Sequence, residues 1–299
     1  MKHLLDIATL STETALQLIE RAQFFKTQTV WPTYASSEVA LLFYENSTRT
    51  TVSFELAAKR LNMRVVLFNI AHSSEAKGEN IEDTIRTLAA MGIHLIVIRH
   101  PESGMPKHLA TVCPPQCQII NAGDGQNEHP TQALLDMMTI LEHHPDLSRL
   151  KITIVGDLRH SRVANSLQHL CRLFKVGELA LVSPHTWQPE TIFYGTHTTS
   201  LEKGLRDADV VIALRIQKER LHAEEALDLH TYRSQYAITT EMLRFAKKGA
   251  AIMHPGPVNR DLEIDSILVD SAPSRILQQV ENGVFLRMAV LEHGYTHSK

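Results

Sequence analysis

A chain of 299 residues with 43% hydrophobic content is long enough to bury two cores, and its net charge of −3, without a basic run, argues against a nucleic-acid-binding face. No stretch of about 18 apolar residues is present, so no membrane span is expected, and Asp6 and Glu13 interrupt the start where a signal peptide would be apolar. Three cysteines, Cys113, Cys117 and Cys171, lack metal-ligand spacing and 17 histidines form no H-E-x-x-H cluster, so a cytoplasmic protein with reduced thiols and no metal or cofactor is expected.

Ser11 can cap a first helix with Leu16, Ile19 and Ala22 on one face, ending before Trp31-Pro32. Val39 to Phe43 then reads as a buried strand. It is followed by Tyr44-Glu45-Asn46-Ser47-Thr48-Arg49-Thr50 and by Phe54, Ala57, Ala58 and Leu61 at helical spacing. The polar residues therefore stand at a strand end and a helix start. A helix N-terminus offers unpaired N–H groups and partial positive charge, so hydroxyls from Ser47, Thr48 and Thr50 beside Arg49 suit a phosphate dianion. Ordinary helix capping accounts for one of these hydroxyls, not for three.

Val65 to Ile70 forms a second strand, and a polar loop from Ala71 to Glu79 leads to a helix with Ile81, Ile85, Leu88 and Met91 on one face. A loop of that length is either disordered or employed, and its composition favours disorder. His94 to Ile98 ends in Arg99-His100-Pro101. Gln118 to Ile120 leads to Glu128-His129-Pro130-Thr131-Gln132, where Pro130 suits the first turn of a helix through Leu134, Leu135, Met138 and Leu141. Strands alternating with helices imply a parallel sheet, whose ligands bind outside the carboxyl ends of its strands.

The segment from Glu142 to Leu150 reads as the passage to a second domain. There Lys151 to Val155 is a strand, and Gly156-Asp157-Leu158-Arg159-His160-Ser161-Arg162 opens a helix bearing Val163, Leu167 and Leu170. A dinucleotide loop would need G-x-G-x-x-G spacing, which is absent. Leu179 to Val182 and Val210 to Leu214 extend a second sheet, the latter ending in Arg215-Ile216-Gln217-Lys218-Glu219-Arg220. Thr239 or Thr240 can cap a helix to Lys248. Ala250 to Met253 is the last strand, before His254-Pro255-Gly256-Pro257-Val258-Asn259-Arg260, and Val280, Val284, Met288 and Leu291 mark the apolar face of a C-terminal helix.

These motifs, in order, resemble those of the aspartate and ornithine carbamoyltransferases: F-Y-E-N-S-T-R-T their carbamoyl-phosphate loop, then S-S-x-A-K-G-E, R-H-P, H-P-T-Q-A-L-L-D, R-x-Q-K-E-R, H-P-G-P-V-N-R and R-M-A-V-L. The resemblance covers nearly the whole chain and favours the aspartate branch, since ornithine enzymes usually carry H-C-L-P. It implies an α/β fold of two doubly wound parallel-sheet domains with the active site between them. Residues 1–141, completed by a C-terminal helix at 274–299, bind carbamoyl phosphate, and residues 146–273 bind aspartate. The implied reaction gives N-carbamoyl-L-aspartate and phosphate, in pyrimidine biosynthesis.

By the same resemblance Ser47, Thr48, Arg49 and Thr50 hold the phosphate, while Thr50, Arg99 and His129 donate to the carbamoyl oxygen. Gln132 and the Pro255-Gly256 backbone hold the carbamoyl amide, and Ser73 and Lys77 reach into a neighbouring subunit's site, which implies a homotrimer. Arg162 and Arg215, assisted by Gln217, Lys77, Gly256 and Pro257, bind aspartate. Two arginines would repel the cationic side chain of ornithine. Glu45 and Glu219 are candidates to position those arginines, and the departing phosphate is the candidate proton acceptor. Thr51 stands where family loops commonly have Arg, and Asp261 where they often have Gly. Rival readings are a carbamoyltransferase for an acylated ornithine and a catalytically silent assembly partner. Association with regulatory or dihydroorotase subunits stays open.

Overall fold

The computed structural model describes residues 2–68, 78–216 and 228–296. They fall into two compact units, Met1–Leu135 with Val280–Lys299, and Asp136–Gln279.

In chain order the first unit holds α1 (Thr12–Thr27), β1 (Glu38–Phe43), α2 (Thr48–Arg60), β2 (Arg64–Phe68), α3 (Ile81–Ala90), β3 (Leu95–His100), α4 (Met105–Val112), β4 (Gln118–Asp124) and the start of α5 (Pro130–Leu141). Its four strands lie parallel in the order β2-β1-β3-β4. Val39 to Leu42 and Leu95 to Ile98 are buried without alternation, as expected of central parallel strands covered on both faces. The chain builds outward from β1, first to β2 on one side and then to β3 on the other, so its topological switch point lies between β1 and β3.

The second unit follows the same plan. It contains β5 (Lys151–Val155), α6 (Arg162–Leu173), β6 (Glu178–Val182), β7 (Thr196–Thr198), α7 (Leu201–Leu205), β8 (Val210–Ala213), α8 (Leu229–Tyr236), β9 (Ala251–Met253) and α9 (Ser266–Val269), followed by α10 (Ile276–Thr296). The parallel order is β7-β6-β5-β8-β9, which places the switch point between β5 and β8. Val155, Val211 and Ile252 pack in one core with Trp187 and Tyr232, whose rings lie 5.3 Å apart.

Four expectations are corrected. Leu16 of α1 and Met91 at the end of α3, expected to share faces with Ile19 and Leu88, are 38% and 72% exposed. The helix expected to run to Lys248 is only a 3-10 turn at Met242–Phe245, with Thr239 Oγ accepting from the Met242 N–H. Beyond it, Phe245 O accepts from the Asp207 N–H and the Lys247 N–H donates to Ala208 O, so the neighbouring turn takes the groups that a longer helix would use. Val280, expected on the apolar face of α10, is 45% exposed, whereas Val284 to Leu286 and Met288 to Leu291 are buried. That later part of α10 is enclosed on several sides. Arg21 forms a two-pronged ion pair with Glu292, at 2.5 and 2.7 Å, and Tyr34 donates to the same carboxylate at 2.6 Å. The helices α4, α7 and α8 and the polar edge strand β7, none longer than eight residues, are not expected from the sequence.

Candidate active site

In the first unit the candidate residues gather at the carboxyl ends of three adjacent strands. After β1, Ser47 occupies the N-cap position of α2 yet makes no side-chain capping bond. Ser11, Asn80, Ser161, Ser200 and Asp228 all cap their helices with a side chain. The first turn of α2 thus presents N–H groups beside the side chains of Thr48, Arg49 and Thr50, of which Thr50 is buried and Arg49 exposed. Such a terminus favours an anion.

Across the switch point, Phe43 of β1 is in register with Arg99 of β3. The Arg99 guanidinium is held from both sides: its Nε lies 3.2 Å from a Glu45 carboxylate oxygen, and its Nη1 donates to Ala122 O at 3.3 Å. His129 and Gln132, both buried, follow β4 at the start of α5. Asp124 braces that end by accepting from the N–H groups of Gly104 (2.7 Å) and Glu128 (3.2 Å) and from the amide of Asn121 (2.7 Å). Glu128 in turn accepts from the Ile7 N–H at 2.8 Å. The buried Arg287 of α10 approaches Thr131 of α5 at 3.5 Å and stacks 5.1 Å from the Phe54 ring of α2, so the two site-bearing helices share one support.

The second unit repeats the placement. Gly156 follows β5 with φ +139°, and a Cβ there would stand 2.9 Å from Leu214 Cβ, so only glycine lets the ends of β5 and β8 approach this closely. Buried Asp157 accepts from the backbone N–H of His160 at 3.1 Å and lies 2.9 Å from its Nδ1, shaping the turn into α6. Ser161 caps α6, and Arg162, its first residue, is buried. Arg215 follows β8, on the far side of the switch point. His254 to Pro257 follow β9; Pro255 and Gly256 are partly buried, Pro257 is exposed, and the Gly256-Pro257 peptide is cis.

Arg49, Arg99, Arg162 and Arg215 therefore all lie at carboxyl ends of strands that border a switch point, where open α/β sheets bind ligands. Within each unit the expected residues come from neighbouring strand ends. Ser73, Lys77, Gln217 and Glu219 lie outside the described residues. Within its own unit Glu45 also meets Arg99, a contact that the sequence did not suggest. Sequence reading missed the supports Glu128, Asp157 and Glu263; each is an acidic residue adjoining a polar motif, and its full burial is the one mark that sets it apart.

Two family models match: the carbamoyl-P binding domain of aspartate/ornithine carbamoyltransferase over residues 2–142, and the Asp/Orn binding domain over residues 148–293. The chain is similar to an aspartate carbamoyltransferase catalytic subunit of Legionella pneumophila, at 54% identity over 292 residues covering 98% of both chains. It is also similar to that of Coxiella burnetii, at 44% identity, covering 97% of this chain and 95% of the other. Among solved structures, it is similar to aspartate transcarbamoylase from Trypanosoma cruzi in complex with carbamoyl phosphate and aspartate, with TM-score 0.87, 29% identity and coverage of 97% and 95%. The catalytic subunit of M. jannaschii aspartate transcarbamoylase gives TM-score 0.84 at 33% identity, covering 99% of each chain.

Proposed function

Because the chain belongs to the aspartate/ornithine carbamoyltransferase family, we infer that it transfers the carbamoyl group of carbamoyl phosphate to the amine of L-aspartate. The observation that carries this reading is the pairing of arginines across the switch points: Arg49 and Arg99 in one unit, Arg162 and Arg215 in the other. One pair suits a phosphate ester, the other a small dicarboxylate.

The chemistry follows from these groups. Ser47, Thr48, Arg49 and Thr50 bind the phosphate dianion at the N-terminus of α2. The amine nitrogen attacks the carbamoyl carbon, and negative charge grows on the carbamoyl oxygen. Thr50, Arg99 and His129 donate to that oxygen, and preorganised donors of this kind are each worth about a hundred- to thousandfold in turnover. Gln132, through its side-chain oxygen, and the Pro255-Gly256 backbone hold the carbamoyl amide. The bond between the carbamoyl carbon and the bridging oxygen of the phosphate then breaks, and the proton from the amine leaves with the phosphate. Arg162 and Arg215 hold the two carboxylates of aspartate, with Lys77, Gln217, Gly256 and Pro257 around the same substrate.

The same reading makes the active species a homotrimer in the cytoplasm, with Ser73 and Lys77 supplied to the neighbouring subunit's site. Exposed Val52 and Leu56 on α2, and Leu67 on the edge strand β2, support a covered face there. Mixing an Arg49→Ala chain with a Lys77→Ala chain should then restore part of the activity; verified mixed trimers with none would remove the shared site.

The reaction itself is tested by offering labelled carbamoyl phosphate to the purified chain with aspartate, ornithine and acylated ornithines. Carbamoyl-aspartate is the expected product. Preferential labelling of any other acceptor overturns the substrate assignment.

A further inference from the structure

The turn after β9 is organised around a buried histidine, set against a buried carboxylate, that no binding role requires. His254 and Glu263 have fully buried side chains, with His254 Nε2 3.1 Å from Glu263 Oε1. The Gly256 N–H donates to His254 Nδ1 at 2.8 Å, and the Asn259 N–H donates to Glu263 Oε1 at 2.6 Å. Because Nδ1 accepts a backbone N–H, it bears no proton. The imidazole proton is therefore on Nε2 and points at the carboxylate. The backbone of His254 is tied as well: its N–H donates to Gln279 Oε1 at 2.9 Å, and Gln279 Nε2 donates to Asp136 Oδ1 at 2.7 Å.

An enclosed carboxylate is costly, and an apolar pair of the same volume would stabilise the turn at least as well. The second oxygen of Glu263 and the hydroxyl of fully buried Tyr232 have no hydrogen-bond partner among the described residues, which adds to that cost. Burial, with the Glu263 and Asp157 charges, pushes the Tyr232 phenol far above its ordinary value, so it stays a neutral donor. An arrangement unfavourable for stability points to a requirement for backbone geometry.

We propose that Glu263 is a positioning residue: by fixing the His254 tautomer it holds the Gly256 N–H on Nδ1 and so aims the Pro255-Gly256 backbone at the carbamoyl group. This rests on the assignment of that backbone under the proposed function. Glu263 touches no substrate and acts through His254.

The test uses the full-length wild-type chain, Glu263→Gln and Glu263→Ala. A glutamine oxygen can still accept both N–H groups, whereas alanine removes the acceptor. Turnover in Glu263→Ala should fall at least tenfold, with the inhibition constant of inorganic phosphate within twofold of wild type and Glu263→Gln restored to within about fivefold. Nitrogen NMR of labelled histidine should show His254 protonated on Nε2 in wild type and in Glu263→Gln. Protonation on Nδ1 in wild type overturns the proposal even if Glu263→Ala does not fold. So does wild-type turnover in Glu263→Ala, or parallel loss of turnover and phosphate affinity. Wild-type chain that makes no carbamoyl-aspartate overturns the underlying functional reading, an outcome distinct from an active wild type with an indifferent Glu263.

Discussion

A Glu45 carboxylate oxygen lies 3.2 Å from Nε of Arg99, and both side chains are largely enclosed, at 20% and 13% exposure. The pair spans the ends of β1 and β3 and fixes the plane of a guanidinium whose Nη1 is already tied to Ala122 O. Arg99 is thereby held before any substrate arrives, with its remaining donors oriented by the scaffold. Glu45→Ala should leave the arginine charge in place and loosen its aim. The expected loss is about ten- to hundredfold in kcat, with phosphate inhibition nearly unchanged. Equal loss of both in steady-state kinetics would give Glu45 a binding role instead.

Arg49 stands exposed on the first turn of an uncapped helix. Arg49→Ala should lower turnover by about a hundred- to thousandfold and weaken phosphate inhibition, with an unchanged circular dichroism spectrum. A variant with normal phosphate affinity would place the dianion elsewhere.

Arg162 should separate the two substrates. Its alanine variant is expected to raise the aspartate KM strongly while carbamoyl-phosphate binding, followed by calorimetry, stays close to wild type. Parallel loss of both affinities counts against giving Arg162 to aspartate alone.

At Gly156 the backbone has φ +139° and an added Cβ would meet Leu214 Cβ at 2.9 Å. Gly156→Ala should therefore destabilise by roughly 2–3 kcal/mol through strain and overpacking. Chemical denaturation gives the check; a loss below about 0.5 kcal/mol would mean that the strand ends can part freely.

His3 accepts the Ile119 N–H on Nδ1 at 3.0 Å, and burial, with the Lys2 charge, lowers its pKa to about 4. Between that value and about 6.5 the unfolded chain binds the extra proton and the folded chain does not. Its contribution to stability is thus complete above about pH 6.5 and is lost progressively as pH falls toward 4. Thermal melts of His3→Gln should show a shallower fall across that window than wild type. Identical slopes would exclude His3 as the source.

Local pattern was enough to read the two α/β halves, the principal strands and the motifs at their ends, because runs such as Leu95 to Ile98 and helical spacing such as Phe54, Ala57, Ala58 and Leu61 record burial directly in residue type. Side-chain partners chosen across the fold leave no such record. Tertiary structure alone decided that Glu45 meets Arg99, that Ser47 declines to cap α2, and that the segment before Lys248 gives its backbone groups to Asp207 and Ala208 rather than to a helix. The same holds for Glu263, nine residues beyond the histidine it holds. Periodicity is a property of neighbours along the chain, whereas strand order and the pairing of buried charges depend on contacts between distant segments, where hydrogen-bond geometry and desolvation choose the partner.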